Sequence, residues 1–280
     1  QPLTELAGRL SPDDQHILDR LDAAIRACDD ALEKYRFNDY ALAAYDFVWH
    51  EYCDWYVEYA KLPLQSGDAG RRAVTLAVLH HVLETSLRLL HPLMPFLTEE
   101  LWHRMGYGGP DESVALARWP RPFEAAVRAG LVPDPAVPQY VEDRHELIRA
   151  VRNLRADLGL APQEAAPLVV RPASAAGATR LAADRAVLEL FCRAPQVQIE
   201  PEFTPARAMP SAVTRLGTVF LSVDGVGDLA GHAAKLRARM AQAETDLARI
   251  EAKLANEAFI SRAKPEAVAQ QRARRDELRA

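Results

Sequence analysis

Residue types that could carry chemistry are sparse in this chain and widely separated. His80, His81 and His91 lie on or beside an apolar stretch, where histidines read as packed or capping groups rather than catalysts. Glu99 and Glu100 offer two carboxylates, but adjacent helix positions point about 100° apart. Acids in a first helical turn are already accounted for by the helix dipole. No GxxxxGK, GxGxxG, HExxH or GxSxG string occurs, so the phosphate-loop, dinucleotide, zinc-protease and serine-hydrolase signatures are absent. Cys28, Cys53 and Cys192 are distant in sequence and form no CxxC pair, which excludes a four-thiolate zinc site. They read as buried thiols. No catalytic residue, metal-ligand set or cofactor site is assigned.

What remains is chemistry suited to a polyanion. Tyr35-Arg36-Phe37-Asn38 sets a cation between aromatics, and such groups can stack on unpaired bases. Tyr45, Trp49, Tyr52, Trp55 and Tyr59 follow at helical spacing, and that periodicity favours a core stripe over a stacking platform. Arg149, Arg152 and Arg155 form an ascending basic ridge, and Lys235, Arg237, Arg239, Arg249 and Lys253 decorate a long C-terminal helix. The net charge of −5 hides an asymmetry. From His232 onward there are 11 Lys+Arg against 7 Asp+Glu, and before it 23 against 32. A local basic surplus is what releases counterions from a nucleic acid, although a solvated helix carries similar charge.

The elements that must position these residues are mostly helical. Ser11 or Asp13 opens a first helix with Pro12 in its first turn and Ile17, Leu21, Ile25, Cys28 and Leu32 on one face. Asn38 is expected to cap a second helix, which Pro63 ends. A third runs through Val74, Leu79, Leu83 and Leu87 to His91-Pro92. Thr98 is expected to cap a short helix carrying Leu101-Trp102. After a proline-rich loop, a helix from about Pro138 to Leu158 completes an antiparallel bundle. From Gly159 short β-type runs appear at 167–170, 197–199 and 218–223, with one helix from about Ser174 to Phe191 and a turn at Gly225-Val226-Gly227. Leu236, Met240, Ala243, Leu247, Ile250 and Leu254 then form a coiled-coil seam, and Pro265 starts a shorter returning helix. The expected architecture is mainly α: a bundle over 1–158, a small α+β unit over 159–230 and an antiparallel coiled-coil hairpin over 231–280. No apolar run approaches the roughly 20 residues of a membrane span, and no signal peptide is evident, so a cytoplasmic location is expected.

RFNDYALAAYDFVWHEYCDWYVEYAK (Arg36 to Lys61) closely resembles the anticodon-binding helical domain of the valyl-tRNA synthetase family. HPLMPFLTEELW (His91 to Trp102) resembles a segment shared with related class I enzymes, IRAVRNLRADLGLAP (Ile148 to Pro162) the passage out of the bundle, and LARIEAKLANEAFISRAKPEAV (Leu247 to Val268) the family's C-terminal coiled coil. Isoleucyl enzymes typically end in a cysteine-ligated zinc module and leucyl enzymes lack such a hairpin, which favours the valyl family. HIGH and KMSKS strings are absent, so the resemblance implies a non-catalytic C-terminal part of a ligase whose parent enzyme uses ATP and Mg2+. It further implies tRNA(Val) as partner, with the bundle on the anticodon arm and the hairpin at the tRNA elbow, and a monomer. Carried over, Arg249 and Arg275 match basic positions at the elbow and Val57 an apolar position near the anticodon. Arg36, Phe37, Lys61, Arg149, Arg152, Arg155 and Lys253 complete the expected tRNA-binding set. The chain departs from the pattern at His16, where the family often has tryptophan. The alternatives are a stand-alone RNA-binding or regulatory paralogue without ligase activity, and a hairpin that dimerises.

Overall fold

A computed structural model describes residues 3–109, 111–161, 164–222, 229–256 and 265–279. The Gly225-Val226-Gly227 turn and most of the expected hairpin connection lie outside the described residues.

A 3-10 turn (Leu3–Arg9) leads into α1 (Pro12–Glu33). The start of α1 is doubly capped. Ser11 Oγ accepts from the Asp14 N–H at 3.2 Å, and the Asp14 carboxylate accepts from the Ser11 N–H at 2.8 Å, satisfying two otherwise orphaned donors. Asp14 is fully buried because it has further partners: Tyr56 Oη donates to it at 2.6 Å, and Arg71 pairs with it.

α2 (Phe37–Asp46), a π-helical stretch (Phe47–Tyr56) and α3 (Val57–Gln65) follow one another without a break. Three expectations change here. Arg36, not Asn38, is the residue before the helix, after Tyr35 turns the chain in a left-handed conformation (φ 54°). Pro63 does not end the helix but sits inside its last turn, where its missing N–H removes one backbone hydrogen bond and the helix stops two residues later. Tyr45 and Trp49, expected in the core, are 51% and 53% exposed, whereas Tyr52, Trp55 and Tyr59 are buried. The wider π winding moves successive side chains away from their α-helical bearing, so one stripe splits between two faces.

α4 (Ala69–Leu90) is capped by Asp68, and α5 (Pro95–Arg104) starts at Pro95. Contrary to expectation, α4 is long and apolar enough to cross a membrane on length and composition, but half of its apolar window is buried inside the protein, as in a central core helix. Thr98 is no cap either: it is buried within α5 and its hydroxyl donates to the Met94 carbonyl at 2.9 Å. The proline-rich loop holds a further helix, α6 (Ala125–Leu131), before α7 (Ala136–Asp157).

The α+β unit has four strands, β1 (Leu168–Pro172), β2 (Val197–Ile199), β3 (Ser211–Thr214) and β4 (Gly217–Leu221), in the order β2-β1-β4-β3. β1 and β2 are parallel; β4 is antiparallel to both β1 and β3. The single expected helix is two, α8 (Ala175–Ala183) and α9 (Arg185–Cys192), divided at Asp184. That carboxylate is occupied by α7: Tyr140 Oη donates to it at 2.8 Å, and Arg144 bridges it to Asp13. The hydrophobic core is continuous from Leu6 and α1 through α7 to Val170, Phe191, Val219 and Leu221, so bundle and sheet share one interior.

Gly217 turns β3 into β4 with φ 142°, and a Cβ there would lie 2.2 Å from the Arg171 carbonyl oxygen and 2.8 Å from Pro172 Cα. Both neighbours are backbone and cannot swing aside. Gly217→Ala is expected to destabilise the chain by roughly 1–3 kcal/mol, read as a lowered denaturant midpoint with an unchanged slope.

At the C-terminus, α10 (Leu229–Ala255) and α11 (Pro265–Arg279) pack together as a helical hairpin. Their 27 and 15 residues correspond to about 40 and 22 Å, so the N-terminal part of α10 runs beyond its partner. Within the seam Ile250 is buried while Met240, on the unpaired side, is 63% exposed.

Candidate nucleic-acid interface

The bundle presents aromatic and cationic side chains together on its second helical rod. Tyr35 and Phe37 are 81% and 62% exposed at the α1–α2 turn. Between them Arg36 is held by Asp30 at 2.6 Å and Asp39 at 3.3 Å, which fixes its direction and partly offsets its charge. Further along, the Tyr45 and Trp49 rings stack on each other at 6.2 Å with 7° between their planes. Helical spacing favours a core place for both rings, and spacing alone cannot reveal the π winding that leaves them half-exposed. Val57 and Lys61 lie one turn apart on α3 and both reach solvent, with Lys61 Nζ donating to Glu58 Oε1 at 2.6 Å.

The ridge on α7 divides. Arg149 and Arg152 are exposed, with their guanidinium carbons 5.2 and 5.3 Å from the Trp55 ring centroid. Arg152 also donates through Nε to the Phe191 carbonyl at 3.1 Å. Cation–π contact holds both heads over a buried indole while leaving their outer faces to solvent. Arg155 is a correction to the expected set. It is buried and donates to the carbonyls of Ala161 and Glu164 at 3.2 and 2.7 Å, fastening the exit from α7 rather than facing a ligand.

On the hairpin, Arg249 and Lys253 are exposed on α10, one turn apart, and Arg249 is only loosely held by Asp246 at 3.8 Å. Arg275, on α11, is part-buried and bound to the neighbouring Asp276 at 2.7 Å. Arg237 is exposed; the side chains of Lys235 and Arg239 lie outside the described residues.

The histidines beside the apolar stretch and the Glu99–Glu100 pair have structural partners. His81 packs against Phe123, and burial together with Arg88 pulls its pKa down to about 4. His91 Nδ1 meets Thr98 Oγ1 at 2.7 Å and His80 Nδ1 meets Tyr107 Oη at 3.0 Å. Glu99 accepts from Ser113 Oγ at 2.9 Å, and Glu100 from Arg104 at 2.6 Å. Cys28 and Cys192 are buried, as expected, but Cys53 is exposed on the π-helical stretch.

Comparison with known proteins assigns the same two regions. Residues 14–170 match the family model of the anticodon-binding domain of tRNA ligase, and residues 228–280 match that of the valyl tRNA synthetase tRNA binding arm. Among similar curated proteins are valine–tRNA ligases of Listeria innocua, 32% identical over 96% of this chain, of Geobacillus stearothermophilus, 33% over 98%, and of Bacillus subtilis, 30% over 96%. In each case the matched region is 30% of the relative's length, so this chain corresponds to less than a third of those enzymes.

Proposed function

This chain belongs to the anticodon-binding family of the tRNA ligases and ends in the valyl-tRNA synthetase arm, and on that premise we propose that it holds tRNA(Val) for a valine–tRNA ligase. The observation that carries this reading is the order of the two matched regions on one chain, an anticodon-binding bundle followed by a tRNA-binding arm. The exposed side chains support it. Tyr35, Phe37, Tyr45 and Trp49 offer ring faces to unpaired anticodon bases, and Arg36, Lys61, Arg149 and Arg152 lie on the same bundle to meet phosphates. Arg249 and Lys253 place charge on a narrow hairpin that has little core of its own and is suited to reaching a partner at the tRNA elbow.

In this reading valine attachment, with ATP and Mg2+, belongs to the rest of such an enzyme, in the cytoplasm, and these residues supply affinity and register as a monomer. The test is binding of the 280-residue chain to tRNA(Val) and to a non-cognate tRNA across a salt series. The expected result is a linear fall of log affinity with log salt, with tRNA(Val) bound more tightly throughout. Equal affinity for both tRNAs, or no binding at low salt, would overturn the assignment.

A further inference from the structure

We propose that His16, Glu51 and His145 form a binding site for a divalent transition-metal ion of the zinc class. The three side chains come from α1, the π-helical stretch and α7, and their ligand-type atoms all lie within 4.8 Å of one another. Their spacing along the sequence gives no metal motif, because three separate elements bring them together.

The state of His16 points to a missing partner. It is 4% exposed, yet among the described residues neither ring nitrogen has a hydrogen-bond partner, and Nε2 stands 3.6 Å from Glu51 Oε2, longer than a hydrogen bond. Buried polar atoms left in this condition are uncommon and costly. An ion shared between imidazole and carboxylate would satisfy Nε2, the nitrogen that faces Glu51.

The donor set suits the ion. Two imidazoles and one carboxylate are a common trio for a site that keeps an open position. At bond lengths of roughly 2.0–2.1 Å, tetrahedral donors stand about 3.4 Å apart. The His16–Glu51 separation of 3.6 Å is already near that value, and the widest, within 4.8 Å, must close by at most about 1.4 Å. His145 is held in place by Trp55, whose ring stacks on it at 3.7 Å and 9°, and the two histidine rings meet edge to face at 5.3 Å.

The surrounding charges can accommodate a cation. Arg144 is committed to Asp13 and Asp184. Arg20, 3.4 Å from Glu51, also lies 3.6 Å from Glu142 and keeps a partner if Glu51 turns to the ion. An open cavity of about 310 Å³ leads to Glu51 and His145; Glu142, Asp143 and Glu146 line it, with Arg149 and Arg215 as the opposing cations.

The test is to load the 280-residue chain with Zn2+, dialyse against metal-free buffer and measure retained zinc, with Co2+ absorption reporting the donor geometry. One zinc per chain is expected, with an ordered-ligand Co2+ spectrum and a raised Tm on zinc addition. Glu51→Gln should lower affinity at least tenfold and His16→Phe should abolish retention. If His16→Phe fails to fold by circular dichroism, Glu51→Gln decides alone. No retention by the unaltered chain overturns the proposal. So does equal retention by the variants, which would place the ion on exposed pairs such as His50–Asp54 or His103–Glu99.

Discussion

Arg144→Met is expected to destabilise the chain by about 3–5 kcal/mol, because it strips the counter-charge from two carboxylates that cannot reach bulk water together. Arg144 is fully buried and binds Asp13 at the start of α1 and Asp184 at the α8–α9 junction, so one guanidinium ties the bundle to the α+β unit. Asp184 would keep the hydroxyl of Tyr140, but among the described residues Asp13 has no other counter-ion, and it is only 6% exposed. Burial already pushes the Asp13 carboxyl above its ordinary value, and Arg144 is what opposes the shift. Without Arg144 the folded-state pKa rises further. A carboxyl whose folded pKa is raised favours the fold below its unfolded pKa and disfavours it as pH climbs through the folded one. The deficit of Arg144→Met should therefore be greatest at neutral pH and shrink towards pH ~4. Urea unfolding at several pH values checks both size and sign. Adding Asp13→Leu should cost less than the sum of the single changes, since it removes the stranded charge.

The triad also marks the boundary between what the chain discloses and what it withholds. Ser11, Pro12 and the Ile17–Leu21–Ile25 face give α1 almost to the residue, because caps and apolar period are local signals. That α10 is the longer of the two hairpin helices follows from counting residues before and after the break. Asp184, by contrast, looks like an ordinary helix residue. Only its remote partners, Tyr140 and Arg144, explain why the chain bends there. β3 escaped notice because Ser-Ala-Val-Thr is short and alternates exposed with half-buried positions at the edge of the sheet. Among the candidate contacts, charge type was readable but direction was not. Arg149, Arg152 and Arg155 stand three apart on one helix, yet the chain's return after Gly159 draws Arg155 inward through two carbonyls. The same limit hides Tyr45 and Trp49, exposed by winding that leaves no mark on composition.

For tRNA the corresponding expectation is a change in salt slope. Arg249 and Lys253 lie one turn apart on the exposed face of α10, and Arg249 is only loosely held by a carboxylate 3.8 Å away. A weak intramolecular partner costs little to release, so both cations can neutralise phosphates at the tRNA elbow. Each phosphate neutralised contributes about 0.9 to the slope of log affinity against log salt. Arg249→Ala with Lys253→Ala should thus flatten the slope by about two units and weaken binding most at low salt. Arg275→Ala should do less, because its guanidinium is part-buried and bound to Asp276 at 2.7 Å. Arg155→Met separates charge from position: it removes a cation of the α7 ridge that faces two backbone carbonyls, so it should lower stability and leave the slope unchanged. A slope unmoved by the α10 double variant would remove the hairpin from the interface. A slope reduced by Arg155→Met at full occupancy of the folded state would mean that α7 reorganises when tRNA binds.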